Sequence, residues 1–297
     1  MSRVWRWLLL LGMVATAAAG SDPVTSDPSK IDTKHPAGMA EVAIHSHGSR
    51  LNGMVYLAQG QGPHPTVVLL HGFPGNEKNL DVAQAMRRAG FNVLFFHYRG
   101  SWGSEGDFSF SHGLEDVAAA LAFLRTEKAQ AAYRIDARRL TLVGHSMGGF
   151  MALQAAAKDR SVRCVVSIAG VNLASWGAVA SRNAETAASV AAALDGGTGP
   201  LQGTSGEQLR DELVANVEAF DVLRLAATFK KRPVLLVGGR RDAVVPVDAH
   251  HQPLSRALKS AGVSMLTEKI LDTDHAFSDQ RIALTRTVVD WLDQACR

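Results

Sequence analysis

Five short runs of nearly unbroken apolar residues recur along the chain: "TVVLL" at 66–70, "NVLFF" at 92–96, "LTLV" at 140–143, "CVVSIAG" at 164–170 and "PVLLVGG" at 233–239. Amphipathic segments of helical length separate most of them, among them "NLDVAQAMRRAG", "GLEDVAAALAFLRTEKA" and "GGFMALQAAAKD". A strand that is apolar on both faces needs cover on both faces, and a helix between two strands returns the chain so that they run parallel. The pattern therefore predicts an α/β fold with a mostly parallel central sheet and helices on both sides. Two β-like runs, "EVAIHS" and "LNGMVYL", precede the first apolar run across a Gly-Ser turn and read as a leading antiparallel hairpin.

The alternation breaks at about 172–231, an Ala-rich stretch with a Gly-rich centre, "DGGTGPLQGTSGE", between helical patterns. It reads as a small helical cap inserted on the sheet. The strand and helix pattern then resumes with "PVLLVGG", "PLSRALKSAG", "SMLTEKIL" and "RIALTRTVVDWLDQA".

Ahead of the domain, residues 1–19 carry Arg3 and Arg6, an apolar run and small residues at Ala17 and Ala19, the pattern of a secretory signal cleaved after Ala19. The alternative is an uncleaved N-terminal anchor. Residues 20–39, rich in Pro, Asp, Ser and Thr, read as a flexible linker, with the folded domain over 40–297. The expected location is periplasmic or secreted, with no membrane association after cleavage. A net charge of +3 without a Lys/Arg cluster interleaved by aromatics gives no sign of a nucleic-acid partner. With only Cys164 and Cys296, the chain is no disulfide framework; Cys164 reads as a small buried hydrophobe, and a bridge between the two stays open.

The chemistry is concentrated in "VGHSMGGF", residues 143–150. Leaving a strand and entering a helix within one sharp turn strains the apical residue and exposes its side chain, which singles out Ser146 as a nucleophile between Gly144 and Gly148. A serine hydroxyl needs a base and an acid that orients the base. In chain order, Asp242 follows "PVLLVGG" and His275 follows "SMLTEKIL", which places both at the carboxyl edge of the sheet beside Ser146. Asp272 and Asp274 flank His275 as competing acids, with Asp272 also a candidate cap for the last helix. His145 reads as aimed away from the reaction, and His250 and His251 as solvent-facing. His45 and His47 lack a third ligand, so no metal is expected. Oxyanion donors are expected from the Met147 N–H and, in "HGFPGN", the Phe73 N–H, since Pro74 has none. Arg99, Trp102 and Glu105 in "YRGSWGSEG" are placed on a loop at the same edge as possible cleft residues, against a purely structural packing role, and Trp176 opens the cap.

Together "HGFPGN", "GHSMGG", "RRDAVVP" and "TDHAFS" resemble the α/β-hydrolase fold superfamily from about Ala40 to the end. "FFHYRGSWGSEGDFSF" resembles the branch of prolyl oligopeptidases, serine aminopeptidases and dienelactone hydrolases, although no β-propeller precedes the domain. The resemblance implies Ser146 as nucleophile, His275 as base and then acid, and Asp242 as its orienting carboxylate, with no cofactor. "HGFP" is also similar to epoxide hydrolases, but those carry an aspartate where this chain has Ser146. The expected activity is hydrolysis of a small-molecule carboxylic ester through an acyl-enzyme. A peptidase or amidase acting on short peptides with the same triad is the alternative, and a non-catalytic binding module is a remote one.

Overall fold

The computed structural model describes residues 21–297, so the leader expected over residues 1–19 lies outside the described residues. The chain opens with β1 (Gly38–Ser46) and β2 (Ser49–Leu57), an antiparallel hairpin in which Ser46 faces Ser49, as the sequence predicts. Then follow β3 (His64–Leu70), α1 (Leu80–Arg88), β4 (Asn92–Phe96), α2 (Phe110–Leu124), α3 (Glu127–Tyr133), β5 (Ile135–His145), α4 (Met147–Lys158) and β6 (Cys164–Ile168). The cap comprises α5 (Leu173–Ala180), α6 (Ala184–Asp195), α7 (Gly206–Ala215) and a 3-10 helix (Val222–Phe229). The chain closes with β7 (Val234–Gly239), α8 (His251–Ser260), β8 (Leu266–Leu271) and α9 (Arg281–Ala295).

The eight strands form one sheet in the order β1-β2-β4-β3-β5-β6-β7-β8, parallel from β4 to β8 and antiparallel across the leading hairpin. Alternation within single strands builds two cores. In β3, Val68 and Leu70 pack with Phe110, Phe150 and Met151 on one face, while Val67 and Leu69 pack with Met86, Leu284 and Val288 on the other. Thus α1 and α9 cover one face, and α2, α4, α8 and the cap the other. Each large aliphatic or aromatic side chain so buried stabilises the fold by about 1.5–3 kcal/mol.

Two boundaries differ from the sequence reading. The stretch expected to be one helix, "GLEDVAAALAFLRTEKA", is split after Leu124, and Thr126 caps α3 by accepting the Ala129 N–H at 3.2 Å. The segment expected to be a free linker is tied to the domain from residue 22 onward. Asp22 pairs with Arg286 at 2.5 Å, Arg88 Nε donates to the Pro23 carbonyl at 2.7 Å, and the Gly60 N–H donates to the His35 carbonyl at 2.9 Å. Cys164 and Cys296 are joined in a disulfide, Cα to Cα 6.0 Å, which fastens the end of α9 to the start of β6.

Candidate active site

At the end of β5 the chain reverses into α4 within one residue. Ser146 sits at that apex with φ 57° and ψ −119°, a conformation L-residues avoid. The two flanking glycines are dictated by contact: a Cβ on Gly144 would lie 1.9 Å from the Gly148 carbonyl oxygen, and one on Gly148 would lie 2.1 Å from that of Leu70. The turn therefore closes only on hydrogens, and the serine is left at the amino end of a 12-residue helix, where partial positive charge favours a developing anion.

Asp242 lies in the loop after β7, and its side chain is wholly buried. Its Oδ1 accepts the N–H groups of Val244 at 2.8 Å and Val245 at 2.7 Å, and its Oδ2 accepts His275 Nδ1–H at 2.7 Å. With Nδ1 donating, the unprotonated nitrogen of His275 is Nε2, the tautomer a general base requires. The competing acids are occupied elsewhere: Asp272 pairs with Arg241 at 3.3 Å, and Asp274 accepts the Ser278 N–H at 2.8 Å. Gln280, not Asp272, stands at the cap position of α9. Among the described residues the Ser146 hydroxyl has no hydrogen-bond partner, and catalytic bonds of this kind commonly tighten only around a substrate.

His145 is the residue that sequence reasoning missed. Its ring is buried 4.7 Å from the His275 ring, and Nε2–H donates to the His275 carbonyl at 2.8 Å, fixing the loop that carries the base. His250 is also buried rather than solvent-facing, and His251 is largely covered; His250 Nδ1 accepts the Asn172 N–H at 3.1 Å and anchors the entry to the cap. His47 lies in the hairpin turn, 3.6 Å from Glu115.

Opposite the nucleophile, a Cβ on Gly72 would reach to 3.4 Å from Ser146 Oγ, so "HGFPGN" lies directly against the serine. Phe73 and Met147 both border the cavity at Ser146, and neither N–H is used in a loop or turn hydrogen bond. His71 supports this loop from beneath: Nδ1–H donates to the Gly72 carbonyl at 2.8 Å, and Nε2 accepts from His97 Nδ1 at 3.3 Å. Burial holds the His71 imidazole down to about 3 and that of His145 to about 4. Both rings are thus neutral in the fold at pH values where a free imidazole, near 6.5, is charged. The unfolded chain then binds the extra protons, and stability falls as pH drops from about 6.5 toward 4, by up to about 1.4 kcal/mol per pH unit for each ring. Urea unfolding at pH 5.0 is expected to show a loss of up to about 4 kcal/mol relative to pH 7.5, and an unchanged midpoint would contradict this assignment.

The residues proposed from "YRGSWGSEG" do not border the cavity. Arg99 points inward: its Nε donates to Asp116 at 2.7 Å and its Nη2 pairs with Glu115, so its charge is consumed in holding the loop to α2. Glu105 faces Arg50 at 3.6 Å. Trp102 has φ 50°, stacks on His97, and donates Nε1–H to the Pro74 carbonyl at 2.7 Å, while its own N–H donates to Pro200 of the cap at 3.0 Å. It is therefore a tether between the cap and the loop that carries Phe73 and Pro74. Trp102→Phe is expected to lower kcat about three- to tenfold for every acyl length alike, because it loosens the Phe73 donor without touching the pocket. A change in acyl preference would place Trp102 in the cleft instead.

The cavity over Ser146 is about 70 Å³. Phe73, Phe110, Leu173, Trp176 and Leu194 form its walls with Val244 and Val245, so Trp176 is the one proposed cleft residue that lines it. No charged side chain borders it.

Comparison with known proteins adds to this geometry. An uncharacterized 31.7 kDa protein of the traX-finO intergenic region of Escherichia coli is 34% identical over 114 residues, 37% of this chain and 38% of that protein. A thiohydrolase of Arthrinium phaeospermum is 30% identical over 125 residues, 41% of this chain and 39% of the relative. The matched stretches span 38% to 50% of the length of the curated relatives. Among solved structures, the acylaminoacyl peptidase of Pyrococcus horikoshii superposes with a TM-score of 0.66 at 18% identity, over 88% of this chain and 42% of that one. Est1E from Butyrivibrio proteoclasticus superposes with a TM-score of 0.63 at 18% identity, over 86% and 98%. Residues 67–286, which include Ser146, Asp242 and His275, match the alpha/beta hydrolase family, and the chain belongs to it.

Proposed function

We propose that this chain is an exported serine hydrolase that cleaves carboxylic esters of small apolar acyl groups. The observation that carries the reading is the pairing of a buried Asp242 with His275 at 2.7 Å, at the same sheet edge as a serine held at a strained helix entry. Ser146 Oγ attacks the ester carbonyl as His275 Nε2 takes its proton, and the N–H groups of Phe73 and Met147 receive the oxyanion. Collapse breaks the bond to the alkoxide, which leaves with the proton from His275. A water deprotonated by the same nitrogen then attacks the acyl-enzyme and releases the acid and Ser146.

The cavity supports an ester with an apolar acyl part. Pockets for drug-sized ligands measure roughly 300–1,000 Å³, far more than the volume here, and no carboxylate lines the cavity to receive the free amine of a peptide N-terminus. Export is supported by the leader pattern and by the disulfide, a bond that persists in oxidising compartments.

The test is initial rates of the chain from residue 21 onward on p-nitrophenyl esters of increasing acyl length, on a thioester series and on aminoacyl-p-nitroanilides. Turnover of short esters with silent anilides is expected; anilide turnover would establish the peptidase reading, and silence throughout the binding-module reading. Trp176→Ala enlarges the acyl wall, and each methylene newly buried contributes about 0.8 kcal/mol. The ratio of kcat/KM for a longer ester over a short one is expected to rise on the order of tenfold, and an unchanged ratio would remove Trp176 from the pocket.

A further inference from the structure

The end of the sheet opposite Ser146 carries a second concavity. The chain enters β6 through "KDRSVR", residues 158–163, and β7 through "KKRP", residues 230–233, and the fold brings these distant segments together beside Arg138. They border an open groove of about 790 Å³. Arg160, Arg163, Lys230 and Lys231 are exposed and have no carboxylate within ion-pair distance among the described residues, and no acidic residue lines the groove. Arg138 pairs with Asp136 at 3.5 Å but keeps its side chain 91% exposed. In a chain whose acidic and basic residues nearly balance, this is a concentration of one sign of charge that steers anions.

Two further features narrow the ligand. Arg232 is buried, donates to the Ala156 carbonyl at the end of α4, and lies over the Phe229 ring, so the neighbouring lysines project from a fixed stem. Apolar groups lie among the cations: Ala227 is exposed, Pro233 and Ala295 are half-buried, and Met265 is 42% exposed. No aromatic ring lines the groove, so it lacks the stacking platform by which single-stranded nucleic acid is held. Cations with exposed aliphatic groups among them match a phosphate headgroup attached to glycerol and acyl carbons.

We propose that this groove docks the protein on an anionic phospholipid surface, with phosphates between Arg160, Arg163, Lys230 and Lys231 and the exposed Ala227 and Met265 against the interfacial carbons. Because the groove lies at the amino ends of β6 and β7 and Ser146 at the carboxyl end of β5, docking leaves the catalytic mouth facing the solvent.

The test is cosedimentation of residues 21–297, which hold the entire sheet and its flanking helices, with vesicles of phosphatidylcholine alone or containing 30 mol% phosphatidylglycerol. A basic residue near an anionic surface contributes about a fivefold factor, so replacing four is expected to reduce partitioning several-hundredfold. The variant combines Arg160→Gln, Arg163→Gln, Lys230→Gln and Lys231→Gln, all at exposed positions far from Ser146, and its turnover of a soluble ester is expected to match the parent. Sedimentation only with phosphatidylglycerol, lost in the variant and weakened at 0.5 M salt, supports docking. Equal binding to both vesicles, equal binding by parent and variant, or thermal stabilisation by inorganic phosphate without sedimentation would each overturn it, the last by showing a site for free phosphate.

Discussion

Ser146→Ala is expected to lower kcat/KM for ester hydrolysis on the order of 10⁴- to 10⁶-fold with the fold intact. Size and selectivity both follow from the elbow. The substitution removes one oxygen, leaves Gly144, Gly148 and the oxyanion N–H groups in place, and leaves His275 paired with Asp242 at 2.7 Å without a nucleophile to serve. Since alanine retains the Cβ, the positive φ of residue 146 stays strained and stability changes little. Ser146→Gly separates the two effects: it is equally inactive, yet it relieves backbone strain of about 1–3 kcal/mol and is expected to raise the urea midpoint. Activity retained within tenfold in the alanine variant would remove Ser146 from the chemistry.

The second large effect concerns stability alone. The Cys164–Cys296 bridge closes a loop across a sequence separation of 132 residues. By the chain-entropy relation, a cross-link of that span disfavours the unfolded ensemble by about 5 kcal/mol at 25 °C. Cys296→Ser, or reduction, is therefore expected to lower the unfolding free energy by about 3–5 kcal/mol, a large part of the stability of a single domain. Ester turnover at 25 °C is expected to persist, because the bridge meets β6 at its amino end, away from Ser146. Coincident urea curves with and without reductant would contradict this.

The sheet was legible because its strands are short apolar runs bounded by turns, and β3 to β7 fall where those runs stand. The positions of Ser146, Asp242 and His275 were legible for the same reason: each follows a recognisable strand, so chain order placed all three at one sheet edge. The rest depended on single long-range contacts that composition does not encode. Residues 22–35 looked like a linker because they are polar, yet Asp22 reaches Arg286 and Pro23 reaches Arg88. His250 was misjudged from the average exposure of its type, although one backbone partner, the Asn172 N–H, suffices to bury a neutral imidazole, and the contact of His145 with the His275 carbonyl spans 130 residues of chain. Arg99 and Trp102 lie on the loop expected of them, but Asp116 and the Pro74 carbonyl turn both side chains away from the cavity. The basic groove was hidden by the 66 residues between "KDRSVR" and "KKRP".

Labelling with a fluorophosphonate, read by intact mass and peptide mapping, asks whether Ser146 is an activated nucleophile. One adduct per chain on the peptide bearing Ser146 is expected, with loss of ester turnover in proportion to labelling and no adduct in Ser146→Ala or His275→Ala. Undiminished turnover after exhaustive treatment, with Ser146 unlabelled, would contradict catalysis by this triad.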